Sequence, residues 1–316
     1  MSPVTETIAF VFGLVGLGYV AGWTGILRPQ VGESLTDFAI VFAVPALLFR
    51  TMVGIDLHGS SPWTLWMVYF SAIPIVWACG HLIVTRIFRR EEAVGVVAGV
   101  AGAFSNLLLL GIPFIMGVFG QPGIDVLSLL LAVHLPVMMA ASIVAFEWVR
   151  RKQGASPSPL RILRDFIRNL LSHPLIVGIL AGLAWRMTGA PLPSLAVRFV
   201  DAFAATAGTV ALFSMGLSLR KYGVAGNVKP ALAMAALKLM LLPAVVLVLA
   251  WLAGLPPLTA QVLVVGASLP TGVNPYIIAT RFGTGQMLAS NTVTISTGLA
   301  VLTTGFWLAI ARMVFA

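Results

Sequence analysis

Two stretches of this chain place Pro, Gly and Asn inside long apolar runs. Ala103 to Phe114 reads Ala-Phe-Ser-Asn-Leu-Leu-Leu-Leu-Gly-Ile-Pro-Phe, and Ser268 to Ile277 reads Ser-Leu-Pro-Thr-Gly-Val-Asn-Pro-Tyr-Ile. Pro lacks the backbone donor and clashes with the preceding turn, so a helix is interrupted there and backbone groups lose their intrahelical partners. Where no water is available, such breaks persist mainly where the freed backbone lines a site. Asn106 and Gly111 precede Pro113, while Pro270, Thr271, Gly272 and Asn274 precede Pro275. If the two breaks cross near the middle of a membrane, half-helix N-termini face each other with unpaired amides and positive dipole ends. That is an anion site made of backbone. Asn106 and Asn274 add side-chain donors and acceptors; the plainer role for each is a helix–helix hydrogen bond. Pro45, Pro74, Pro136 and Pro243 have no such company and read as tolerated kinks.

Two ionisable residues also lie deep in apolar runs. Lys238 follows Lys229 by nine residues, which places it ~13 Å into the bilayer, too deep for easy snorkelling. An ionisable group at that depth marks a functional site by default. His134 sits at similar depth from the opposite side, either as a proton carrier or as a neutral, hydrogen-bonded core residue. Acids are missing there: Asp37 opens an apolar run, Glu147 closes one, and Asp201 lies in an outer part. A cation carrier needs a buried carboxylate, so Lys, His, amides and helix N-termini favour an anionic substrate. Either His134 or Lys238 is then available to couple protons.

The elements that position these residues are membrane helices. The chain has 316 residues, 59% hydrophobic and 9% charged, with mean hydropathy +1.02, far from soluble usage. The runs are continuous and lack the alternation of an outer-membrane barrel. Ten spans are expected, over 7–27, 35–54, 62–86, 93–119, 124–149, 170–188, 195–219, 230–254, 258–281 and 287–312. The first apolar run has no basic region ahead of Ile8 and continues to Leu27, so it reads as a helix rather than a cleaved signal. The net charge of +9 arises mostly in alternate connections, at Arg86, Arg89 and Arg90, from Arg150 to Arg168, and at Arg220, Lys221 and Lys229. Arg50, Arg186, Arg198 and Arg312 fall at or near the other side. That bias places the basic loops in the cytoplasm and both termini outside, and explains the charge without nucleic acid.

Residues 1–149 and 170–316 form two five-helix halves, joined by a basic linker at 150–169. Gly13 to Gly25 resembles Val177 to Gly189, with Thr-Gly at both ends, and Pro113 and Pro275 are related by nearly the same offset. An odd number of spans per half makes the copies antiparallel, an inverted repeat with the two breaks in the fourth and ninth helices. The lone Cys79 excludes an intramolecular disulfide and fits no metal pattern. No His-Glu-x-x-His, Gly-x-Ser-x-Gly or phosphate-loop motif occurs, so neither an enzyme nor a cofactor is expected.

With these residues in view, Asn106-Leu-Leu-Leu-Leu-Gly-Ile-Pro113 resembles the Asn-x-x-x-x-Gly-(Ile/Leu)-Pro of the auxin efflux carrier family, which includes plant PIN-type carriers and bacterial organic-acid carriers. Leu269-Pro-Thr-Gly-Val-Asn-Pro-Tyr276 is similar to that family's ninth-helix motif, Phe42-Ala-Val-Pro-Ala-Leu-Leu-Phe49 to its second helix, and Lys238 to Pro243 to its eighth. The resemblance covers nearly the whole chain in order. It implies an all-α 5+5 inverted repeat, crossed fourth and ninth helices, and a scaffold of the first, second, sixth and seventh helices. It also implies a homodimer and elevator-like movement. Asn106, Pro113 and Pro275 would form the crossover site, and His134 stands where plant members carry Gln.

The expected function is secondary transport of a small organic anion across the bacterial inner membrane, driven by protons or membrane potential. The substrate is either a dicarboxylate such as malonate or an auxin-like acid, with Asn274 favouring the dicarboxylate carriers. A sodium-coupled symporter and a non-transporting ligand sensor are the alternatives.

Overall fold

A computed structural model describes residues 3–54, 62–152 and 171–316, together with Arg164, Ile167 and Arg168. Most of the expected linker at 150–169 lies outside the described residues. Every regular element among them is helical. Among the described residues, seven helices are long and apolar enough to cross a membrane: Thr5–Trp23, Gln30–Gly54, Pro62–Ile87, Leu107–Val149, Ser194–Arg220, Lys229–Leu252 and Gln286–Val314. Three shorter apolar helices are Glu92–Ala103, Pro174–Met187 and Pro257–Ser268. Large apolar side chains face outward, as lipid permits: Leu302 is 76% exposed. Trp23, Trp63, Trp148 and Trp251, all exposed, sit at or near helix ends, where indole rings meet the headgroup layer. The protein is an integral membrane protein, and its described residues are all-helical.

The prolines shape these helices in two ways. Ala39–Ala43, Leu107–Gly111 and Leu237–Leu241 are π turns, and each ends two residues before a proline, at Pro45, Pro113 and Pro243. Widening the turn relieves the clash between the proline ring and the carbonyl one turn back. Pro45 and Pro243, expected as simple kinks, therefore mark π turns, whereas Pro74 and Pro136 lie inside α-helix. A further π turn, Ile83–Ile87, has no proline after it. The long run Ile112–Lys152 is divided at Gly120 (φ 63°, ψ −155°), a conformation glycine reaches without steric cost.

Two compact units emerge, each drawn from separated parts of the chain. The first comprises Met1–Gly59, Leu108–Pro136 and Ser158–Lys221; the second comprises Ser60–Leu107, Val137–Pro157 and Tyr222–Ala316. Packing thus groups helices from both halves of the sequence.

In the first unit, helix Pro174–Met187 lies on Val44–Gly54 through Gly178 and Gly182, four residues apart. A Cβ on either glycine would stand 2.6 Å from a carbonyl oxygen, of Pro45 and Phe49 respectively. Lipid supplies no hydrophobic force between helices, so close backbone approach does the work. Gly178→Val is expected to lower stability by about 1–3 kcal/mol, read as the unfolding midpoint in detergent. Gly13→Val, where the space is open, should leave the midpoint unchanged.

The second unit packs around Val84, Ala98, Ala231, Met234 and Leu288. It contains the two points where helix gives way to extended chain, at Phe104 and Leu269.

Candidate binding site at the helix breaks

Helix Glu92–Ala103 stops at Phe104, whose backbone is extended (φ −87°, ψ 98°), and helix Pro257–Ser268 stops at Leu269 (φ −62°, ψ 153°). The two freed segments pass each other antiparallel and form a bridge between Ser105 and Thr271. The Asn106 N–H donates to the Pro270 carbonyl at 2.9 Å, and the Gly272 N–H donates to the Phe104 carbonyl at 3.0 Å. This crossing revises the expectation of a bare cluster of amides: two of them satisfy carbonyls of the opposite break. Buried backbone groups without water must find partners, and each break supplies the other's.

Buried side chains brace the crossing. Thr271, fully buried, donates its N–H to Ser296 Oγ at 3.0 Å, and its hydroxyl donates to the Ala101 carbonyl at 2.8 Å. Tyr69 donates its hydroxyl to Ser105 Oγ at 2.8 Å, with both residues buried. Sequence reasoning missed Tyr69 and Ser296. A signal for the latter was present, since Thr292, Ser296 and Thr304 recur at multiples of four along the apolar helix Gln286–Val314 and share one face.

Lys238 is fully buried, and its Nζ donates to the Ala267 carbonyl in the last turn of Pro257–Ser268. A cation there complements the negative end of the half-helix dipole directly before the break. The π turn that holds Lys238 also turns the Leu239 carbonyl toward Trp307, whose indole N–H donates to it at 2.7 Å. Asn274 and Pro275 begin helix Asn274–Phe282, whose N-terminus has no side-chain cap. Its positive dipole end therefore lies just beyond the crossing. Asn106 is buried, at 5% exposure, and Asn274 is half-buried.

Of the residues singled out in the sequence, Asn106, Lys238, Pro270, Thr271, Gly272, Asn274 and Pro275 belong to this second unit. Gly111, Pro113 and His134 belong to the first. Gly111 closes the π turn and is buried, as is His134. Pro113 lines a cavity of about 1020 Å³ within the first unit, together with Thr7, Arg50, Thr51, Asp125 and Asp201. Arg50 Nε and Asp201 Oδ1 are 3.0 Å apart, with side chains 43% and 51% exposed. Such an exposed pair contributes under about 1 kcal/mol to stability. In the sequence Arg50 reads as a charge on one side and Asp201 as an acid away from mid-depth; the fold places them opposite each other at a cavity that Pro113 also lines.

The pattern of the membrane transport protein family matches residues 3–308. A protein of Rhizobium meliloti (strain 1021), provisionally named a malonate transporter, is 28% identical over 320 aligned residues, covering 96% of this chain and 94% of that one. Uncharacterized transporters of Methanothermobacter thermautotrophicus and Methanocaldococcus jannaschii are each 24% identical, over 310 and 312 residues, covering 96% of this chain and 97% of theirs.

Proposed function

The chain belongs to the membrane transport protein family of the auxin efflux carriers, and from that premise we propose that it is a secondary transporter of a small organic anion. Malonate or a similar dicarboxylate is the favoured substrate and an auxin-like carboxylate the second. The observation that carries this reading is the crossing itself: Asn106 and Asn274 flank two helix breaks joined at Ser105 and Thr271, beside an uncapped helix N-terminus. A carboxylate fits such a site through side-chain amides and the positive dipole end. The name of the Rhizobium meliloti relative and its nearly full-length coverage support a malonate-type substrate.

The same reading takes the chain as ten passes in a 5+5 inverted repeat. Division of the long run at Gly120, union of Glu92–Ala103 with the part before that division as one broken pass, and inclusion of Pro174–Met187 and Pro257–Ser268 support that number. The Thr-Gly ends of the two similar stretches also share a geometry, with Gly25 at φ 76° and Gly189 at φ 67°. Both termini lie outside, the basic loops lie in the cytoplasm, and the membrane is the bacterial inner membrane. The chain works as a homodimer in an elevator-like cycle, in which the unit that holds the crossing moves. His134 and Lys238 are its groups for coupling or anion attraction.

Uptake of labelled malonate and indole-3-acetate into proteoliposomes tests this, with the proton gradient, membrane potential and sodium varied separately. Malonate uptake that follows protons or voltage and ignores sodium is the expected result. Strict sodium dependence would establish the symporter instead, and binding without flux under any gradient would establish a sensor.

A further inference from the structure

In the second unit a groove of about 520 Å³ runs between helix Pro62–Leu82 and the later part of Ile112–Lys152. Phe70, Pro74, Trp77 and His81 line one wall, and Met138 and Ala141 belong to the other. Spacings of three and four residues put each set on one helix face. From Phe70 to His81 the wall is ~16 Å long. That is about half of the ~30 Å hydrocarbon core, the depth of one leaflet. Among the described lining residues His81 alone is ionisable, and it stands at one end of the groove.

Both walls lead into basic sequence at that same end. Beyond His81 come Arg86, Arg89 and Arg90, all exposed. Beyond Ala145, the last lining residue of the other wall, come Arg150, Arg151 and Lys152. Packing within the unit shows that these ends coincide. Phe146 stacks on Phe282, with ring centroids 3.9 Å apart. Three residues after Phe282, Gly285 lies against Val97, and Gly95, one half-turn away, lies against the His81 ring.

We propose that this groove binds an anionic phospholipid, with one acyl chain along the Phe70 to His81 wall and the phosphate at His81 and Arg86. A lone acyl chain matches the apolar, one-leaflet depth, and an anionic headgroup matches the basic end. A small organic anion satisfies only the second condition. Juxtamembrane basic residues attract anionic lipid with a strength equivalent to about fivefold in affinity for each charge near the surface.

The test uses the full-length protein, delipidated in detergent and titrated with phosphatidylglycerol, phosphatidylcholine or glycerol 3-phosphate while the unfolding midpoint is followed. Phosphatidylglycerol should raise the midpoint at lower concentration than phosphatidylcholine, and glycerol 3-phosphate should not raise it. Arg86→Gln, an exposed change, should raise the phosphatidylglycerol concentration for half-effect about fivefold and leave phosphatidylcholine unaffected. Ala141→Leu, which fills the groove, should weaken both lipids. Equal response to the two lipids with no effect of Arg86→Gln would overturn the proposal. So would an Ala141→Leu protein that responds to lipid as before, or one whose only change is in oligomeric mass, which would make the groove an interface between copies.

Discussion

Asn106→Ala is expected to cut malonate uptake at least about tenfold with little loss of folded protein. Alanine keeps the backbone N–H at position 106, so the 2.9 Å hydrogen bond to the Pro270 carbonyl and the adjoining bridge remain. What disappears is a carboxamide beside the crossing. A hydrogen bond to a charged group contributes about 1.5–3 kcal/mol, or about ten- to 150-fold in affinity. Asn274→Ala carries the same expectation. Thr271→Val provides the contrast, because it removes the hydroxyl that satisfies the Ala101 carbonyl in a fully buried position. Leaving that carbonyl unpaired costs about 1–3 kcal/mol, so this variant should lose stability along with uptake. Wild-type flux from both asparagine variants would remove them from the site.

Lys238→Met is the second large effect, and its sign on stability separates two roles. Methionine removes a buried amino group and leaves the Ala267 carbonyl without its donor. Relief from desolvating a buried polar amino group opposes the loss of the hydrogen bond, so the net change in stability is expected to be small. If the ammonium draws the anion toward the crossing, malonate affinity should fall about tenfold or more while the unfolding midpoint holds. A lower midpoint with unchanged affinity in the surviving folded fraction would make Lys238 a structural cap for Pro257–Ser268. Malonate binding by isothermal titration, run beside thermal unfolding of the same preparation, reads both quantities.

The second helix break was legible because proline's effect is local, with Pro270 and Pro275 standing where the chain leaves helix and re-enters it; the first opens at Phe104, nine residues before Pro113, which itself follows a π turn. Lys238 was legible for a similar reason, since depth follows from rise per residue. Its partner was not, because Ala267 lies on another helix and offers only a carbonyl, which every residue has. Tyr69 and Ser105 are separated by 36 positions, and nothing in either segment announces that one hydroxyl meets the other. Arg50 and Asp201 are 151 positions apart, and each reads alone as a charge at a helix end. The amides at the crossing went the other way. Local reasoning frees them correctly, but only the opposite break could reclaim them.

Taken alone, the sequence determined that this is a helical membrane protein with a broken helix in each half, basic connections and no acid at mid-depth. Hydropathy, proline chemistry and helix rise act over a few residues and need no knowledge of neighbours. Tertiary structure alone decided which freed amides pair at Ser105 and Thr271, that Lys238 donates to the Ala267 carbonyl, and that Pro113 meets the Arg50 cavity. Those outcomes depend on which backbone groups and side chains face one another across helices distant in the chain, and in lipid each buried polar group takes whatever partner packing brings within reach.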